Sequence, residues 1–112
     1  MAKKLYKRAL SGQERVLGLN DITTLNTVSN LAILLRKEGQ LAESKKLLER
    51  ALSGFERIFG LSHEKYLSTV TKLAVVLFEQ GRLEEAKKLH ERALSGQEQL
   101  SRAKSPRYPS NS

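Results

Sequence analysis

The chain has 112 residues, no cysteine, and 20 Lys/Arg against 12 Asp/Glu, which gives a formal net charge of +8. This length fits one small domain or a piece of a longer array, and the lack of cysteine excludes disulfides and thiolate metal sites and favours a reducing compartment. No apolar run reaches the ~18 residues of a membrane span, so we expect a cytoplasmic protein without membrane association.

A four-residue sequence, Ala-Leu-Ser-Gly, occurs three times and ends at Gly12, Gly54 and Gly96. The copies are 42 residues apart, and a repeat of roughly 20 to 50 residues indicates a solenoid, a propeller or an array. The arginines at positions 8, 50 and 92 keep the same spacing. The sequence therefore predicts one structural unit per 42 residues.

Apolar residues recur at the three-and-four spacing of a helix face along the chain, and no stretch alternates as a strand does. The spacing predicts five helices, which we place at residues 2–17, 22–38, 41–59, 66–80 and 83–100. We call the second and fourth the A helices, and the first, third and fifth the B helices. An all-α chain follows, with a half repeat at 1–20 and complete repeats at 21–62 and 63–101.

Glycines and polar residues mark the predicted helix ends. Gly39 and Gly81 end the A helices, where a left-handed residue closes a helix before a tight turn. A glycine followed by a leucine ends the first two B helices and predicts a hydrophobic cap contact. Asn20-Asp21 and Ser62 supply N-cap oxygens for the A helices.

The glycine of each Ala-Leu-Ser-Gly copy lies inside a B helix, where it costs about 1 kcal/mol relative to alanine. We expect close helix packing against the neighbouring repeat to offset this cost. The alternative is a tolerated weak point that bends the helix.

Residues 102–112 are predicted to form a disordered tail. The repeat calls for glycine and leucine where Arg102 and Ala103 stand, and Pro106 and Pro109 stop any helix.

The residues Asn30-Leu31-Ala32-x-x-Leu35-x-x-x-Gly39-x-Leu41-x-Glu43 resemble the tetratricopeptide repeat. The 42-residue period and the sequence Leu5-Tyr6-Lys7-Arg8-Ala9-Leu10 resemble its kinesin-light-chain-like form. This resemblance implies a right-handed solenoid of antiparallel helix pairs. It also implies a protein–protein interaction module, a scaffold or cargo-adaptor fragment, that holds a partner peptide in the concave groove of the A helices.

By that resemblance, one set of residues on the A helices lines the peptide groove. Asn30 would bond a peptide backbone through its donor and acceptor, and Arg36, Lys37 and Lys72 would hold carboxylates, which makes an acidic partner a candidate. The alternative is that this is the polar face of solvated helices. The groove residues are Asn26, Ser29, Asn30, Ile33, Arg36, Lys37, Ser68, Thr71, Lys72, Val75, Phe78 and Glu79.

The sequence is also compatible with two other functions. Both ends of the array look uncapped, so the chain could be a self-associating structural piece without a groove ligand. Paired lysines recur along the B helices and could bind RNA phosphates, although glutamates one turn away can pair with them, so nucleic acid is the least favoured partner. The lysine pairs are Lys3-Lys4, Lys45-Lys46 and Lys87-Lys88.

No residue pattern indicates catalysis, so we expect no enzyme activity, no cofactor and no metal site. His63 lies at a turn between repeats and is predicted to cap a helix, and His90 takes a packing position of a B helix. The chain has no glycine-rich phosphate loop and no nucleophile elbow, because its Ser-Gly-Gln-Glu sequence lies within a helix.

Overall fold

A computed structural model describes residues 2–104 of the chain. These residues form five α-helices and no strand, which confirms the all-α prediction. The helices are α1 (Ala2–Leu17), α2 (Ile22–Lys37), α3 (Leu41–Phe59), α4 (Glu64–Glu79) and α5 (Leu83–Lys104).

Most predicted boundaries lie within two residues of the observed ones. The exception is the end of α5, because the helix continues to Lys104 and therefore includes the first three residues of the predicted tail. The rest of the predicted tail lies outside the described residues.

The five helices form a solenoid in which each helix packs against its neighbours in the chain. The A helices α2 and α4 also approach each other closely, whereas the backbones of the B helices α1, α3 and α5 stay farther apart within the described part of the chain, and α1 and α3 are joined by side-chain ion pairs such as Arg50–Glu14. The A helices are therefore the closer set, and the array curves toward them. Their exposed faces line its inner side.

The core is built from one apolar pattern that occurs in both A helices, Leu-x-x-Val-x-x-Leu-Ala-x-x-Leu. Its ten residues are all buried against the B helices, together with Ala51 and Phe55 of α3 and Ala93 of α5. Burying a leucine or valine side chain contributes about 1.5–3 kcal/mol, so this pattern supplies much of the stability. The ten residues are Leu25, Val28, Leu31, Ala32 and Leu35 in α2, and Leu67, Val70, Leu73, Ala74 and Leu77 in α4.

The helix caps agree with the sequence in part. Asp21 accepts a hydrogen bond from the Thr23 backbone N–H at 2.8 Å, as its N-cap position predicts. The N-cap of α4 is His63 and not the predicted Ser62, since His63 Nδ1 accepts from the Lys65 N–H at 3.0 Å.

The end of α3 differs from the predicted cap. Gly60 has φ 84° and ψ −175°, a region open almost only to glycine, and not the left-handed helical region. Leu61 is exposed, as is Leu19 after α1, so more than half of each predicted cap leucine remains open to solvent.

The glycines within the B helices are closely packed in two of the three copies. A Cβ on Gly54 would overlap the end of the Leu25 side chain, and one on Gly96 would lie 2.5 Å from Leu67 Cδ2. A Cβ on Gly12 would meet nothing within 4 Å. Close packing is thus observed at Gly54 and Gly96, but it is against the A helix of the same repeat and not against the neighbouring repeat as predicted. The prediction also fails for Gly12, which has no A helix in front of it within residues 2–104.

Candidate functional site

A cavity of about 480 Å³ lies on the inner side of the solenoid, between α2 and α4. We call it the lysine cavity. It is open to solvent, and Phe55 of α3 contributes to its lining. Five predicted groove residues come together here, namely Asn26, Ser29, Asn30, Ser68 and Lys72, and four further residues, Phe55, Glu64, Lys65 and Thr69, complete the lining.

Two lysines of α4 enter the cavity and donate to neutral oxygens of α2. Lys65 Nζ donates to Asn26 Oδ1 at 3.2 Å, and Lys72 Nζ donates to Ser29 Oγ at 3.2 Å. Neither lysine forms an ion pair with a carboxylate in the described part of the chain. The cavity therefore holds two positive charges with no acidic counterpart bonded to them.

Burial lowers the pKa of Lys72 below its ordinary value of 10.5, and the charge of Lys65 lowers it further. Both causes act by making the ammonium less favourable where it stands. An anion bound between the two lysines would oppose both effects. The site is thus chemically suited to a carboxylate.

The uncharged residues of the cavity have different roles. Asn30 is exposed, and its side chain makes no hydrogen bond within residues 2–104, so its donor and acceptor both remain available. Ser29 is buried and contributes its hydroxyl as the acceptor for Lys72. Thr69 is turned to its own helix, because its hydroxyl donates to the Lys65 carbonyl at 2.8 Å.

The other predicted groove residues lie farther along the inner side. A second cavity of about 170 Å³ adjoins the first at Lys72 and is lined by Ile33, Arg36, Thr71 and Val75 among others. Arg36 Nη1 bonds Glu79 Oε2 at 3.0 Å, so both of these predicted residues are already paired within the chain. Lys37, the last residue of α2, is exposed.

Phe78 lies at the far end of α4, beside a third cavity of about 420 Å³ between α4 and α5. Its lining is mostly apolar and includes Thr71, Val75, Leu83 and His90. His90 is exposed here, so its predicted packing role is wrong. Ten of the twelve predicted groove residues therefore line three adjoining cavities and not one, and Lys37 and Glu79 line none of the three.

Lys65 was not among the residues selected from the sequence, because the apolar pattern that defined this helix face begins only after it. The observed α4 begins at Glu64, which brings Glu64 and Lys65 onto the helix and into the cavity. The N-cap at His63 was the available signal, because an N-cap residue places the next two residues in the first turn.

The remaining sequence features do not add a second chemical site. Lys45 pairs with Glu49 at 2.9 Å within α3, and Lys3 pairs with Glu38 at 3.1 Å, so the lysine stripe is partly neutralised. Among residues 2–104, no group of three or more His, Asp or Glu side chains is placed to hold a metal. None of the described helices has the length and apolar character to cross a membrane.

Comparison with known proteins identifies the repeat. A model of the tetratricopeptide repeat family matches residues 22–99, well over half of the chain. No curated protein matches.

Solved structures with the same architecture include BtubC (BKLC) from P. vanneervenii, with 21% identity and a TM-score of 0.83 over 88% of this chain and 39% of that one. A protein described as a kinesin light chain of Podosopora anserina, with nearly identical TPR-like repeats, has 24% identity and a TM-score of 0.84 over 94% of this chain and 50% of that one. A second crystal structure of that protein, with a single substitution, gives the same values. The chain thus spans half or less of the length of these proteins. It belongs to the tetratricopeptide repeat family, and its fold is that of the kinesin-light-chain-like repeat proteins.

Proposed function

We propose that the chain binds an acidic segment of a partner protein along the inner face of α2 and α4. The observation that carries this proposal is the lysine cavity, where Lys65 and Lys72 project from one face of α4 and donate only to neutral oxygens. A carboxylate of the partner would replace these bonds to neutral oxygens with ion pairs, in which the donor and the acceptor both carry a charge.

The rest of the inner face suits an extended peptide. Asn30 can bond the peptide backbone with its free donor and acceptor, and Val75 and Phe78 offer exposed apolar contacts farther along. Since tetratricopeptide repeats are generally protein-interaction modules, a non-catalytic role as a scaffold or a cargo-adaptor segment in the cytoplasm fits this surface.

The direct test measures fluorescence anisotropy of a short labelled peptide rich in Asp and Glu. We expect the double variant Lys65→Gln/Lys72→Gln to weaken binding at least about tenfold, because both charges that face the peptide are removed. The matched control is Lys46→Gln/Lys88→Gln, which removes two exposed lysines of the B helices. Equal weakening by both double variants would indicate attraction by net charge alone and contradict the proposal.

A capture experiment extends the test to natural partners. The triple variant Asn30→Ala/Arg36→Ala/Lys72→Ala is expected to lose partners that the wild-type chain captures from lysate, with its helix content unchanged. Unchanged capture would favour the alternative of a structural piece without a groove ligand.

Self-association is the second candidate, and a specific observation supports it. The two end helices of the solenoid expose large apolar side chains, with Leu5 64% exposed on α1 and Leu94 50% exposed on α5. Contact between ends of different copies would cover this surface but need not close into a ring. Sedimentation across a hundredfold range of concentration tests it, and a strict monomer at all concentrations excludes it.

RNA binding through the lysine stripe is the remaining alternative. It predicts binding to arbitrary RNA that falls steeply with salt, because phosphate contacts release counterions. The same anisotropy assay with a labelled RNA measures it.

A further inference from the structure

One face of α1, which carries Leu5 and Ala9, is uncovered, whereas the equivalent faces of α3 and α5 pack against another helix. Ala9 is exposed, whereas Ala51 and Ala93 at the equivalent positions are fully buried under α2 and α4. Leu5 is 64% exposed, whereas the equivalent leucines of α3 and α5 are partly buried against the core. The chain thus gives two examples of what covers this face, and in both an A helix covers it.

Gly12 marks where a side chain of a covering helix would lie. At Gly54 the end of Leu25 fills the space in front of the glycine, and at Gly96 the end of Leu67 does so. The space in front of Gly12 is open. The copy at Gly12 therefore has the same space in front of its glycine, but no leucine fills it within residues 2–104. We call this space the socket at Gly12.

Arg8 supplies an independent observation of a polar kind. Arg50 Nη2 bonds Glu14 Oε2 at 2.8 Å and the Leu19 carbonyl at 3.1 Å, and Arg92 Nη1 bonds the Tyr66 hydroxyl at 2.9 Å. These acceptors lie in the preceding B helix, in the turn before α2 and in the first turn of α4. Arg8 is exposed and has no hydrogen-bond or ion-pair partner within residues 2–104.

We propose that α1 is a docking site for an amphipathic helix of a partner protein that carries the pattern Leu-x-x-Val-x-x-Leu-Ala-x-x-Leu. This is the pattern that α2 and α4 present to α3 and α5. The first leucine of the partner helix fills the socket at Gly12, and its alanine lies near Ala2. A hydroxyl, carbonyl or carboxylate near its N-terminus accepts from Arg8.

The orientation of the docked helix follows from the internal examples. Leu25, near the start of α2, lies over Gly54 late in α3, and Ser44, early in α3, donates to the Ala32 carbonyl at 2.7 Å. The two helices are thus antiparallel, and the partner helix runs antiparallel to α1. The lysine cavity takes no part in this contact, so the proposal stands independently of the proposed function.

The test uses the full chain and a fluorescein-labelled peptide with the sequence of residues 64–80, which contains the pattern and the tyrosine that meets Arg92. We expect saturable binding, with a peptide in which Leu67 is replaced by Glu as the inactive control. Gly12→Ala is expected to weaken binding at least about tenfold, because its Cβ occupies the place of the docking leucine. Alanine is a better helix former than glycine, so this variant keeps α1 intact.

A pair of matched variants locates the binding site. Leu5→Gln removes apolar surface from the proposed face, and Leu94→Gln removes another exposed leucine, 50% against 64%, from α5 at the other end of the solenoid. Weakening by Gly12→Ala and Leu5→Gln with binding unchanged in Leu94→Gln supports the proposal. Absence of binding, binding insensitive to Gly12→Ala, or loss of binding only in Leu94→Gln overturns it.

Discussion

Gly12, Gly54 and Gly96 have the same local sequence but different surroundings, so one substitution should give different results at the three positions. Gly12→Ala is expected to raise the free energy of unfolding by up to about 1 kcal/mol, because only the helix preference of alanine acts there. At Gly54 and Gly96 an alanine must displace a buried leucine, and overpacking of about 1–3 kcal/mol outweighs that gain.

Urea unfolding of the three variants, followed by circular dichroism, measures this difference. Equal changes in the free energy of unfolding at Gly12 and Gly54 would show that Leu25 can move aside without cost. Gly54 would then be a tolerated weak point and not a packing requirement.

Lys72 should make stability depend on alkaline pH. Its pKa is lower in the folded chain than in the unfolded one, so between the folded pKa and 10.5 the unfolded state binds more protons. The penalty of burying the charge is therefore complete at neutral pH and is relieved as pH rises through that window. We expect the wild type to gain stability relative to Lys72→Gln as pH rises toward 10.5. Urea unfolding of both proteins in parallel measures it, and a constant difference would contradict it.

The sequence predicted which residues lie on the inner face better than it predicted their roles. Asn26, Asn30 and Lys72 were assigned to the inner face and share the lysine cavity. The pairing of Arg36 with Glu79 was not predicted, because it joins side chains of successive repeats whose rotamers no local pattern determines.

The start of α4 depends on a histidine, and its contribution can be measured. His63 accepts the Lys65 N–H and stacks on Phe59 with ring centroids 3.9 Å apart. His63→Ala is expected to lower the free energy of unfolding by about 0.5–2 kcal/mol, the usual loss of an N-cap. His63→Asn should recover part of it by restoring a capping oxygen.

Thermal unfolding compares these variants with Ser62→Ala, which we expect to change stability by less than about 0.5 kcal/mol as an exposed residue outside the cap. A larger effect of Ser62→Ala than of His63→Ala would contradict the assignment of the N-cap.

Helix existence was predictable for all five elements, because their apolar spacing is strong. Helix ends were harder to predict where the capping residue is an unusual one. His63 is not among the common N-cap residues, and the sequence placed the cap one residue early, at Ser62. The end of α5 was missed because Arg102 and Ala103 were read as a break, although neither residue opposes a helix.

Across the whole molecule, stability should fall from the centre of the array to its ends. Helices α1 and α5 each pack against one other helix, whereas α2, α3 and α4 each pack against at least two. In a solenoid the local stability is close to a sum of neighbour contacts. We expect amide hydrogen exchange to be faster in α1 and α5 than in α3, measured by mass spectrometry under native conditions. Uniform protection along all five helices would instead indicate one cooperative unit.

Amide exchange in the presence of the α4-sequence peptide gives a further check of the proposed docking site. If it docks on α1, exchange should slow in α1 and stay unchanged in α5.

The near identity of the two A helices also bears on folding fidelity. Since α2 and α4 present the same five-residue apolar pattern, a B helix gains about the same burial from either, and the contact chemistry alone barely distinguishes the correct partner from the wrong one. The turns make the choice, because only residues 38–40 separate α2 from α3, and residues 80–82 separate α4 from α5. Such short connections hold α3 against α2, and α5 against α4, in the antiparallel orientation. Pairing specificity in this protein is therefore encoded in the brevity of its turns, and lengthening them would permit exchange of helices between molecules.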